Sequence, residues 1–314
     1  MIAYGPVPSR RLGKSLGVNN IPPKACTYAC AYCQVGHTRD MQIERREFYR
    51  PEEIAREVGN RLKVVQGVGD PVDFLSFVPD GEPTLDVNLG REIELLRAFG
   101  RPIAVITNSS LLSSPDVRQE LATADWVSLK VDSVNEDVWR RLNHPHRALN
   151  LSDILEGMMT FRSMFSGTLV TETMLVAGVN DRDRHAQDTA AFLSRLKPDK
   201  AYLAVPTRPP ALTSVEPPDS ETMVRYHDVF AKQVGIVEFL MGYEGNDFSA
   251  AGDPRDNLLG ITAVHPMRDQ AVAELLDRAG APWAVVEELV REGSLHEVDH
   301  AGHRYYLRRP RSAI

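Results

Sequence analysis

Apolar segments of strand length alternate with amphipathic stretches of helix length through most of this chain, and that alternation narrows the fold more than composition does. Leu16 to Ile21 reads as a first short strand, and Val72 to Val78, Ile103 to Thr107, Trp126 to Val131, Thr168 to Leu175 and Lys200 to Val205 follow it. Helical patterns lie between them. Pro51-Glu52-Glu53 opens one with proline and acids in its first turn, and Ile54, Val58 and Leu62 share its apolar face. Asn88 to Phe99, the stretch capped by Ser114-Pro115-Asp116, Leu151 to Phe165 and Asp181 to Leu196 continue the series, which closes with a helix over Glu221 to Val234 and a strand near Ile236 to Leu240. Such alternation predicts parallel strands joined by right-handed crossovers. Six strand–helix steps fall short of the eight of a closed barrel, so the expected fold is α/β, a partial (β/α)6 TIM-type barrel.

The polar motifs fall after the strands. A cysteine-rich loop follows the first, Asp80-Gly81-Glu82-Pro83 the second and Thr107-Asn108 the third. Lys130 and Asp132 end the fourth, Met174 to Asn180 the fifth and Pro206-Thr207-Arg208-Pro209-Pro210 the sixth. In strand–helix barrels that end of the sheet is the active face.

Cys26, Cys30 and Cys33 sit within eight residues and are the only cysteines in the chain. A single loop can wrap such closely spaced thiolates around one soft metal centre. An odd, tight set does not read as a disulfide scaffold. Zinc would need a fourth ligand, for which His37 is available. An iron–sulfur cube normally takes four cysteines, so with three one iron must be bound from outside the protein.

The spacing C-x3-C-x2-C, with Tyr32 before the third cysteine, resembles the signature loop of the radical S-adenosylmethionine (SAM) superfamily. That resemblance implies a [4Fe–4S] cluster on Cys26, Cys30 and Cys33 whose open iron is chelated by SAM. It further implies that an electron from the cluster cleaves SAM to a 5′-deoxyadenosyl radical. Gly81-Glu82-Pro83 resembles the segment that receives the SAM amino group, although Asp80 stands where a glycine is more usual. Thr107-Asn108 then suits ribose hydroxyls or the SAM carboxylate, with Ser109 in place of the usual glycine, and Lys130 suits that carboxylate, with Asp132 as its neighbour. Leu175 to Asp181, including Val179, resembles the segment that supports the adenine. The implied cofactor-binding set is therefore Tyr32, Gly81, Glu82, Pro83, Thr107, Asn108, Lys130, Asp132 and Val179. Arg208 has the planar fork to hold a substrate carboxylate or phosphate, whereas His144 and His146 read as polar loop residues. Gly5 to Gly13, Gly81 to Leu85 and Thr207 to Pro210 resemble, more narrowly, the wyosine-synthase-like iron–sulfur oxidoreductases, without the further cysteines of a second cluster.

The sequence carries 36 Lys plus Arg against 43 Asp plus Glu, which does not favour nucleic acid as a partner. No apolar run reaches the roughly 20 residues of a membrane span and the N-terminus lacks a signal-peptide pattern, so the expected location is the cytoplasm. The expected organisation is a barrel over residues 1–245, a Gly/Asp-rich linker over 246–264 and a winged-helix-like module over 265–314. In that module Arg304, Arg308, Arg309 and Arg311 are countered by acids. The expected activity is radical hydrogen abstraction from a small-molecule or peptide substrate, with an external one-electron reductant of the flavodoxin or ferredoxin kind. Its rivals are tRNA base modification, activation of a glycyl-radical partner, and a zinc-stabilised binding protein.

Overall fold

A computed structural model describes residues 1–38 and 40–308. The chain starts with strands β1 (Ala3–Ser9) and β2 (Gly13–Val18), then the two-residue strands β3 (Ala25–Cys26) and β4 (Asp40–Met41), which pair in parallel around the cysteine loop. Helix α1 (Pro51–Gly67), strand β5 (Phe74–Phe77), helix α2 (Leu89–Leu96), strand β6 (Ile103–Thr107), helix α3 (Pro115–Leu121) and strand β7 (Trp126–Lys130) follow. Then come helices α4 (Glu136–Asn143) and α5 (Leu151–Met164), strand β8 (Thr168–Met174), helix α6 (Asp183–Leu196), strand β9 (Lys200–Ala204), helix α7 (Ser220–Ala231) and strand β10 (Val237–Leu240).

The main sheet runs β1-β2-β5-β6-β7-β8-β9-β10. All neighbours are parallel except β1 and β2, and β1 and β10 are the free edges, so the barrel is open as expected. Alternation along the strands divides the two faces. Val127 and Leu129 of β7 join the large core under the helices, whereas Trp126 packs on the inner face with Val170, Tyr202 and Ala204.

Strand β1 is absent from the sequence reading because Gly5, Pro6 and Pro8 interrupt any strand pattern. At a sheet edge a proline leaves no ladder bond unmade, and the β1–β2 register shifts between Tyr4 and Val7. The pair is locked by Gly17: a Cβ there would lie 2.0 Å from the Tyr4 ring. Strand β2 accordingly begins at Gly13 and ends at Val18, earlier than expected. Helix α4 is also new. Its two turns are too short for a clear period, and it is set by a local cap, Asn135 Oδ1 accepting from Val138 N at 3.1 Å.

The stretch expected to be a linker contains helix α8 (Pro254–Thr262), capped by Asp253, which accepts from Asp256 N at 3.0 Å. Its Leu258 and Ile261 belong to a second core with Tyr4 and Val7 of β1. Strand β11 (Met267–Arg268), helices α9 (Asp269–Ala279) and α10 (Ala284–Arg291), and strands β12 (Leu295–His300) and β13 (His303–Arg308) complete that core, with sheet order β11-β13-β12. Arg309 and Arg311 lie outside the described residues. Among the described residues no helix is long and apolar enough to cross a membrane.

Candidate active site

A cavity of about 290 Å³ opens at the C-terminal ends of the barrel strands. Cys26, Cys30 and Cys33 line its floor; Tyr32, Gly81, Lys130 and Arg208, four of the other residues singled out by sequence, line its walls.

Backbone pairing builds the floor. Glu82 N donates to Ala25 O at 3.0 Å, so the turn after β5 is pressed against the strand that carries Cys26. Gly81 has φ +155, and a Cβ on it would meet Ala25 O at 2.0 Å. Only glycine fits that approach. Asp80, the departure from the usual glycine, pairs with Lys24 Nζ at 3.0 Å, and Lys24 N donates to Asp80 O at 2.7 Å.

Amide groups reach the sulfurs. Asn108 Nδ2 lies 3.5 Å from Cys26 Sγ, and Asn143 Nδ2 lies 3.4 Å from Cys30 Sγ. Burial pushes all three thiols up, Cys30 to about 12 with the Cys33 sulfur adding to the effect. Lys24 and Lys130 partly counter this at Cys33. Such thiols hold their protons until a metal displaces them.

The inner barrel wall carries a chain of charges. Lys130 of β7 stands in register with Glu172 of β8, and their Nζ and Oε1 are 2.5 Å apart. Glu172 Oε2 also meets Arg11 Nη1 at 2.5 Å. Burial alone would raise the Glu172 pKa, but Lys130 and Arg11 reverse this and hold it at about 2. Burial opposes the charge on Lys130, yet Glu172 and Asp132 more than offset it and raise its pKa. Lys130 Nζ sits 4.9 Å from the centre of the Tyr32 ring, and the Tyr32 hydroxyl donates to Asp132 Oδ2. Asp132 also accepts from Asn143 Nδ2 at 2.7 Å and from Met174 N at 2.8 Å.

The remaining sequence-predicted residues stand behind the cavity wall. The Glu82 carboxylate, expected to face the SAM amino group, accepts from Thr84 Oγ1 and Thr107 Oγ1, both at 2.6 Å, from Asn108 N at 2.7 Å and from Thr84 N at 3.1 Å. It is 1% exposed, its four bonds offsetting much of the burial that raises its pKa. Pro83 and Thr107 are buried beside it, and Asp132 acts through Tyr32 rather than on the cavity. Val179 packs with Ala31 and Val176 under the cysteine loop. The sequence neighbour of Lys130, Asp132, is more distant from its Nζ, at 3.9 Å, than Glu172 is.

Sequence reasoning missed Arg10, Arg11, Glu172, Glu244 and Asn143. Arg10 and Arg11 lie in the Gly5 to Gly13 stretch but carry no assigned role there, and Glu172, Glu244 and Asn143 belong to none of the motifs; an unpaired buried lysine was the available signal, because it demands a carboxylate.

Among the described residues no three His, Cys, Asp or Glu side chains converge as they would around a single metal ion. A cluster asks for no such convergence, since each iron takes one thiolate. Three thiols on one cavity floor, two amide donors aimed at sulfur and two nearby lysines fit a cluster.

Residues 20–190, more than half the chain, match the family described as the Radical SAM superfamily. The UPF0026 protein MJ1312 of Methanocaldococcus jannaschii is 45% identical over 313 residues, covering 99% of this chain and 97% of that protein. The UPF0026 protein slr1464 of Synechocystis sp. is 34% identical over 238 residues, 75% of this chain and 87% of that one. A radical SAM methyltransferase from Sphaerobacter thermophilus shares the fold at 16% identity and a TM-score of 0.53, over 73% of this chain and 67% of that chain. The chain belongs to the radical SAM superfamily, and it is an enzyme of that class, working with a [4Fe–4S] cluster and S-adenosylmethionine.

Proposed function

We propose that Cys26, Cys30 and Cys33 hold the three protein-ligated irons, that SAM occupies the adjacent cavity, and that a small-molecule or peptide substrate enters past Arg208. The observation that carries this is the cavity itself, with three thiols at its floor and a polar rim at its mouth. When bound, the cluster supplies one electron to SAM, received from an external flavodoxin- or ferredoxin-like donor, and so makes radical hydrogen abstraction available.

The chain's own residues perform the positioning. Gly81 lets its turn press against the strand that carries Cys26, Asn108 and Asn143 donate to cysteine sulfurs, and Tyr32 is fixed by Asp132 beneath Lys130. Glu82 acts one layer back, tying Thr107 and Asn108 to the floor. The order α8, β11, α9, α10 and the hairpin β12–β13 supports a winged-helix-like reading of the tail, as a module that docks on the barrel or recruits a protein. A reducing cytoplasm suits this chemistry.

Anaerobic reconstitution tests the reading. The protein should turn brown, bind about four irons, and on reduction convert SAM to methionine and 5′-deoxyadenosine. A colourless protein carrying one zinc would end it. Substitution of any one cysteine by alanine should abolish both iron uptake and SAM cleavage.

A further inference from the structure

At the mouth of the cavity two guanidinium groups share one carboxylate. Arg208 Nη2 donates to Glu244 Oε2, and Arg10 Nε lies 3.8 Å from Glu244 Oε1. Their other hydrogen-bond partners among the described residues bring no negative charge. Gln34 Oε1 accepts from Arg208 Nη1 at 2.6 Å, and Arg10 Nη1 donates to the Met241 carbonyl. His265 Nε2 lies 3.1 Å from Arg208 Nη2. Burial and the adjacent Arg208 hold the His265 pKa well below its ordinary value, so the ring is neutral.

Deeper in the cavity the charges balance. Arg11 and Lys130 face Glu172 and Asp132, and Lys24 faces Asp80. The surplus positive charge is therefore local to Arg10 and Arg208. Their side chains are 30% and 14% exposed, so water compensates this charge only in part. Gln34, Glu244 and His265 hold the Arg208 guanidinium in place in advance, which lowers the ordering cost of bringing an anionic group to its charge.

We propose that Arg10 and Arg208 form a subsite for an anionic group of the substrate, a carboxylate or a phosphate, at the outer end of the cavity. This rests on the reading of the cavity as a radical SAM site, because the substrate must then enter over the same floor. A wholly uncharged substrate would leave the surplus charge uncompensated.

The test uses the full-length reconstituted protein with SAM, titrated calorimetrically with inorganic phosphate and, separately, with acetate. The wild-type protein should bind one of the two anions, and which one identifies the group. Arg10→Gln should weaken that binding by about tenfold or more, the scale of one charge-assisted contact. Arg208→Gln should do the same, and if that variant fails to fold, Arg10→Gln alone decides. Arg304→Gln, on an exposed pair with Asp299, should leave binding unchanged. Equal titrations for wild type and Arg10→Gln, or an equal loss with Arg304→Gln, would overturn the subsite. Iron content and SAM cleavage are measured on the same samples: their absence from the wild-type protein overturns the radical SAM reading, whereas intact cleavage without arginine-dependent binding overturns only the subsite.

Discussion

Glu172→Gln isolates the charge chain of the barrel wall, because it keeps the side-chain volume and removes one charge. In the folded protein the Glu172 pKa is about 2 against an ordinary value of 4.5. At about 1.4 kcal/mol per unit, ionised Glu172 contributes about 3 kcal/mol. Its side chain is 13% exposed, so solvent screening takes little from that figure. The sign follows from the lowered pKa: the contribution is complete above about pH 4.5 and is lost as pH falls toward 2. Substitution also strands Lys130 and Arg11, for which a cost of about 3–5 kcal/mol is typical. For a chain of this length, 3 kcal/mol corresponds to a fall in melting temperature of about 4–5 °C. Thermal unfolding followed by circular dichroism should show that gap at both pH 5 and pH 8. Lys130→Met should then cost less in the Glu172→Gln background than in the wild type, by more than about 1 kcal/mol, since it removes a stranded cation. A gap below about 1 kcal/mol, a gap that changes between pH 5 and 8, or strict additivity would refute the reasoning.

Glu92, buried on α2 with Asn20 Nδ2 3.0 Å away, has its pKa pushed to about 9 by burial and then by Asp86. Ionisation therefore opposes folding above the ordinary value of 4.5, and Glu92→Gln should raise the melting temperature at pH 8, the gain shrinking as pH falls toward 4.5. Gly81→Ala should destabilise by about 2–3 kcal/mol and reduce iron uptake on reconstitution, because the added carbon meets Ala25 O at 2.0 Å; unchanged unfolding would contradict the close approach. Asn143→Ala removes an N–H donor from Cys30 Sγ and should lower the midpoint potential of the bound cluster by on the order of tens of millivolts, read by potentiometric titration with electron paramagnetic resonance detection. No shift would mean that the amide serves Asp132 and Tyr32 alone.

The parallel strands were legible because each is a short apolar run bounded by a helix of regular period, and β5 to β10 stand near where that pattern puts them. Strand β1 was hidden because an edge strand can carry prolines that a central one cannot, so composition argued against it. Helices α4 and α8 are each set by one capping side chain and tertiary packing, with too few turns for a period to emerge. The cysteine loop and Gly81 were legible for another reason. Both depend on backbone geometry within a few residues, and spacing alone records that.

The partners of the site obey a different rule, and Lys130 shows why. A lysine in an apolar strand needs a carboxylate, and sequence offers Asp132, two residues on, which a strand continued past Lys130 would put on the same face. Two residues along a strand span about 6.6 Å, while neighbouring strands lie about 4.8 Å apart. The nearer position therefore belongs to the next strand, not to the same one, and there Glu172 meets Lys130 at 2.5 Å while Asp132 stays at 3.9 Å. That frees Asp132 to hold the Tyr32 hydroxyl and lets Glu172 recruit Arg11 from the β1–β2 turn. In a parallel sheet the partner of a buried charge is better sought at the matching offset of the adjacent strand. Here that strand, β8, is also the next in sequence, so the register of two apolar runs would have been enough to propose the pair.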